Sequence, residues 1–160
     1  MKRTAPVFLF SIVIISLLLP LNAARKEITA SELPPDVLDV LNRYCSILST
    51  SPDLETCAEG LAAISGGHLV NSQGSISRDV FEFSLKKDFQ NIRFYRVPPV
   101  ITRIVMETDS YDGYGPTLIQ GTRFKIWIAK KQGTPGLPAP IPIIKPAKGE
   151  PKVVSNIGSL

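Results

Sequence analysis

An uninterrupted apolar run from Val7 to Leu21 lies between the basic start Lys2-Arg3 and the small-residue exit Asn22-Ala23-Ala24, and it decides how much of the chain is left to fold. Basic start, apolar stretch and small exit are the three parts of a secretory signal peptide, so cleavage is expected after Ala24 or one residue earlier. The rival reading is an uncleaved anchor, since Ala5 to Ala24 just reaches the roughly 20 residues that cross a bilayer. Pro20 and the small exit favour cleavage, and no cysteine near the run would carry a lipoprotein anchor. The expectation is an exported protein, periplasmic or secreted, with no stable membrane anchor after cleavage.

Cleavage removes Lys2 and Arg3 and no acid, so the formal charge falls from +4 to +2, with 16 basic and 14 acidic residues remaining. Nucleic-acid binders gather their cations on one face or stripe. Here the cations are dispersed, adjacent only at Arg25-Lys26, Lys86-Lys87 and Lys130-Lys131, so nucleic acid is not an expected partner. About 136 residues remain, enough for one ordinary domain. The expected division is a signal peptide (1–24), a polar lead-in (25–33), a single α+β domain (34–131) and a Pro-rich C-terminal extension (132–160).

Both cysteines, Cys45 and Cys57, fall in the exported part. An even count over a short span in an oxidising compartment favours a disulfide, worth about 3 kcal/mol on the chain-entropy model. Two separately buried thiols are the alternative. With one histidine and no Cys-x-x-Cys or His-x-x-x-His spacing, neither a zinc site nor a cofactor is expected.

Pro34-Pro35-Asp36 opens a helix to about Leu48, because Val37, Leu38, Leu41, Tyr44, Cys45 and Leu48 recur at three and four residues. Ser51-Pro52-Asp53 starts a second, with Pro52 at its first position, Leu54, Cys57, Ala58, Leu61 and Ile64 as its stripe, and Gly66-Gly67 as its stop. His68 to Val70 reads as a short strand and Asn71 to Gly74 as a turn. Ser77 to Asn91 carries both periods, and the longer one, through Phe81, Leu85, Phe89 and Ile92, selects a helix capped by Ser77. Ile92 to Val97 reads as a strand interrupted by Pro98-Pro99. Val100 to Thr108 alternates, Asp109 to Pro116 is a loop or wide hairpin, and Gln120 to Lys130 is the clearest strand, with Phe124, Ile126 and Ile128 on one face. The six prolines after Lys131 favour an extended path, with short edge strands at Ile141 to Ile144 and Val153-Val154 or a disordered tail as the alternatives.

This order is an α+β plan with helices packed on one face of a curved, mainly antiparallel sheet. The helix pair ending in Leu61-Ala62-Ala63-Ile64-Ser65-Gly66-Gly67-His68-Leu69-Val70, the Gly74 turn before a helix, and Phe94-Tyr95 leading into three long strands resemble the nuclear transport factor 2-like superfamily, which includes the SnoaL-like domains. The resemblance covers residues 34 to 130. It implies a cone around an apolar pocket, used by isomerases, dehydratases, hydrolases and many noncatalytic modules.

In such a pocket a carboxylate moves a proton while a buried donor stabilises the oxyanion. The resemblance makes Tyr44 a candidate donor and His68 a candidate acid or base. It groups Tyr44, His68, Tyr95 and Met106 as ligand-binding candidates. Tyr44 also lies on the apolar stripe, and a lone histidine after Gly-Gly is more often structural. No carboxylate matches the family's catalytic acid, with Glu107 and Asp109 expected in solvent at a strand end. Asp109-Ser110-Tyr111-Asp112-Gly113-Tyr114-Gly115 has the acids, aromatics and glycines of a calcium loop or sugar-binding rim, but not EF-hand spacing, and a plain hairpin loop is the simpler reading. The leading expectation is a noncatalytic exported domain that binds a small apolar ligand or a protein partner, forming a homodimer through the sheet face bearing Trp127. A pocket isomerase, lyase or hydrolase, and a structural component of an envelope or secreted assembly, are the alternatives.

Overall fold

A computed structural model describes residues 24–154, so the signal-peptide reading lies outside the described residues. Five antiparallel strands form one open sheet in the order β1-β2-β3-β4-β5, with three helices packed with it, an α+β fold as expected. The strands are β1 (Arg25–Ile28), β2 (Ile101–Asp112), β3 (Ile119–Ile128), β4 (Pro140–Pro146) and β5 (Lys152–Val153). The helices are α1 (Pro35–Thr50), α2 (Leu54–Ala62) and α3 (Lys86–Asn91).

Register explains the core. Ile28, Ile104, Ile126 and Ile141 form one cross-strand row, and Met106, Phe124, Ile143 and Val153 the next. Because successive side chains alternate faces, both rows point the same way, and they pack with the α1 stripe of Val37, Val40, Leu41, Tyr44 and Leu48 into one buried cluster. The opposite face carries Arg103 over the Trp127 ring at 5.0 Å and the pairs Arg103–Glu27 and Lys125–Glu107. The face expected to join two copies is thus clothed in charge.

Both sequence boundaries of the α+β domain cross the sheet. The polar lead-in supplies β1, which hides only Ile28. The Pro-rich extension supplies β4 and β5 and is not a tail as far as Val154. Pro140, Pro142 and Pro146 share one parity, and the Pro142 carbonyl accepts from Val154 N–H, so their missing donors face β5 and not β3. On the β5 side only Ile143 and Ile144 are in register.

Helix starts follow their caps. Pro35 is the first residue of α1, as expected. The second helix starts later than expected, because the Asp53 carboxylate accepts Thr56 N–H at 2.7 Å and leaves Pro52 outside. The helix expected over 77–91 forms, with a π-helical turn (Val80–Leu85) ahead of α3. Ser77 does not cap it, since its hydroxyl donates to the His68 and Leu69 carbonyls.

Two strand expectations fail. Gly67–Leu69 and Ile92–Phe94 are 3₁₀ turns, leaving Val70 and Tyr95 in single bridges to Ile76 and Lys130. The loop expected from Asp109 is instead strand to Asp112, with an irregularity between Glu107 and Ser110 where Asp109 takes φ 52°. The disulfide expectation is also overturned, because Cys45 and Cys57 are free thiols buried in the core. Desolvation, with the nearby Asp88 charge adding to it, pushes Cys45 up to about 12. Burial pushes Cys57 to about 11, with a Ser51 hydrogen bond pulling the other way. Disulfide chemistry runs through the thiolate, which this surrounding suppresses.

Candidate functional site

The four ligand candidates do not share a pocket. Tyr44 is fully buried on α1, and its hydroxyl donates to Asp88 of α3 at 2.6 Å. Burial and the Asp88 charge raise the Tyr44 phenol well above its ordinary value, so it stays a donor. Asp88 occupies the buried stripe of its helix with Leu85 and Ile92. An acid and a tyrosine do meet, then, but inside closed packing. Tyr95 is 1% exposed, and the Lys130 ammonium sits 5.4 Å from its ring centroid. Burial raises its phenol, and the nearby Ala139 backbone opposes that. Met106 packs half-buried in the second core row.

Tyr95 lines a cleft of about 430 Å³ with Phe89, Gln90, Arg93 and Lys131, and His68 reaches a separate one with its side chain exposed. Its backbone N–H donates to Asp112 Oδ1 at 2.9 Å, and its Nδ1 lies 2.9 Å from the same oxygen. The Gly113 N–H points at Nδ1 from 3.1 Å. These partners suit opposite states of one nitrogen: protonated, it donates to Asp112; bare, it accepts from Gly113. The ring is held in either state while its side chain remains 58% exposed. Asp112 is 5% exposed and also faces the Arg123 guanidinium at 3.4 Å, which donates to the Tyr111 carbonyl.

Local sequence builds this clasp. Gly67 takes φ +62°, and a side chain there would overlap the Asp112 carboxylate. Gly113 takes φ +77°, and its missing Cβ would lie 2.7 Å from Gly67 Cα. The Gly-Gly-His turn and the Asp-Gly turn can therefore interlock only as glycines. The far wall is a tight hairpin in which Asn71 Oδ1 accepts from Gln73 N–H and Ser75 N–H.

The cleft holds about 500 Å³ and is lined by His68, Asn71, Ser72, Ser77, Tyr114 and Thr117 among others. The His68 and Tyr114 ring centroids are 5.8 Å apart, and Tyr114 and Tyr111 are 75% and 69% exposed. A second hollow of about 490 Å³ shares Val70, Asn71, Ser72, Pro116 and Thr117 and runs toward Lys152, so the two make one trough. Hydroxyls, an amide, an imidazole and the exposed Tyr114 phenol ring suit hydrogen bonding and stacking. Among the described residues no His, Cys, Asp and Glu group could hold a metal ion.

Asp88 and the Asp112 role escaped the sequence reading. An acid on an apolar helical stripe, Leu85-Asp88-Phe89-Ile92, was the available signal for the first. Comparison with protein-family models, curated proteins and solved structures finds no match.

Proposed function

We propose that the chain is an exported, noncatalytic binding domain whose ligand is a short saccharide seated in the His68–Tyr114 trough. The observation that carries this is the His68 ring, fixed by Asp112 and Gly113 while open to a polar cleft beside an exposed tyrosine. Sugars present hydroxyls at their edges and apolar C–H faces, the complement of this lining. The apolar-ligand reading needed an interior pocket around Tyr44, and Tyr44 is closed against Asp88. Export rests on the Lys2 to Ala24 pattern. A place in the nuclear transport factor 2-like superfamily is compatible with the open sheet and its helices, and remains part of the proposal.

Calorimetric titration with a panel of soluble oligosaccharides tests this reading. Tyr114→Ala should weaken the best ligand about ten-fold through lost stacking. Equal affinity of native and variant chains would remove the trough from the account.

A second reading is acid–base catalysis in the same trough, favoured by the Asp112-held imidazole. Consumption of the bound saccharide, lost in His68→Ala, would put that reading first.

A further inference from the structure

A different surface carries an independent inference. From Phe83 to Phe94 the outward positions of the helical run read Phe83, Lys86, Lys87, Gln90, Arg93 and Phe94, while Leu85, Asp88 and Ile92 face inward. The strap that follows exposes Arg96, Val97 and Val100 around Pro98-Pro99. Backbone bonds tie this strap to Lys130 and Lys131: Lys131 N–H donates to the Phe94 carbonyl, Arg96 N–H to Ala129, and Ala129 N–H to Val100.

Six cations thus share one end of the molecule: Lys86, Lys87, Arg93, Arg96, Lys130 and Lys131. None of them forms an ion pair among the described residues, whereas nine of the ten other Lys and Arg residues after Ala24 do. The acid within this run, Asp88, is buried against Tyr44. Phe83 is 65% exposed, and Phe94, Val97 and Val100 are each more than a third exposed. Apolar side chains standing out between cations that have no carboxylate partner among the described residues are the two signals of interfacial membrane binding.

We infer that this end of the molecule, from Phe83 to Val100 with Lys130 and Lys131, docks reversibly onto an anionic lipid surface. The cations supply long-range attraction to the headgroups, and Phe94, Val97 and Val100 enter the boundary region. An acidic protein would satisfy the charge but gives no role to the apolar side chains on the strap.

Cosedimentation with vesicles of equimolar phosphatidylglycerol and phosphatidylcholine, against pure phosphatidylcholine, tests this with native and variant chains in the same processed form. Binding should require the anionic lipid and weaken with salt. The triple variant Lys86→Glu, Lys87→Glu, Arg93→Glu should bind about a hundred-fold more weakly. Val97→Ser with Val100→Ser, at exposed positions that leave the core untouched, should lose about ten-fold. Native chains that ignore anionic vesicles, or charge variants that bind like native, overturn the inference. So does tight binding of polyglutamate with no effect of the serine variants, which would assign the surface to an acidic partner.

Discussion

Asp112 reaches the His68 backbone N–H and imidazole because Gly67 carries no side chain: a Cβ there would occupy the space of the carboxylate. The shape of the trough therefore rests on a residue outside its lining. Gly67→Ala should both strain a φ of +62° and displace Asp112. The expected cost is about 1–3 kcal/mol in denaturant unfolding, with a shifted His68 ring resonance in the folded fraction. An unaltered resonance and native stability would contradict the clasp.

Removing the phenol from the buried pair leaves a carboxylate without one of its donors. Tyr44→Phe should destabilise the chain by about 1.5–3 kcal/mol, the range for hydrogen bonds to charged groups. Chemical denaturation reads this directly, and a change below about 0.5 kcal/mol would mean that the 2.6 Å contact contributes little.

Much of the helical layer was legible because its signals are local. Pro35 and Asp36 start α1 and an i, i+3, i+4 stripe sets its buried face, while alternation at Phe124, Ile126 and Ile128 marks β3. β1 was hidden because Arg25, Lys26 and Glu27 face solvent on a sheet edge, so its pairing to β2 leaves no apolar pattern. β4 was obscured by prolines whose harmless parity emerges only once β3 is in place. The His68–Asp112 clasp joins residues 44 apart in sequence through two glycine turns, and no periodicity encodes that. His68 itself was legible as a candidate, but its partner was read as part of a hairpin loop.

The free thiols give a test on the alkaline side. Both cysteines titrate higher in the folded chain than the ordinary 9.0, at about 12 for Cys45 and about 11 for Cys57. Their contribution to stability is therefore intact below 9.0 and is lost as pH rises through 11 and 12. At about pH 8 a thiol reagent should label neither cysteine in the native chain and both after unfolding without reductant. No labelling after unfolding would reinstate the disulfide.

Acid acts in the opposite sense. Backbone and side-chain hydrogen bonds from Thr29 hold Glu32 at about 2, the Lys145 ammonium lowers Asp36, and Thr56 N–H lowers Asp53. Carboxylates depressed by folding stabilise above their unfolded values, so stability should fall as pH drops from 4.5 toward 2. Lys145→Ala should flatten part of that fall in unfolding measured across the window. An unchanged slope would show that the 2.6 Å Asp36–Lys145 pair is not coupled to folding.

The chain has one histidine, so its imidazole resonances report on the trough alone. The most direct measurement follows those resonances by NMR while soluble oligosaccharides are added. A binding saccharide should shift the His68 ring signals in saturable fashion, in step with Tyr114, and His68→Ala should weaken it about ten-fold. Saccharide binding that leaves the His68 ring unmoved, or no saccharide binding at all, would contradict the account.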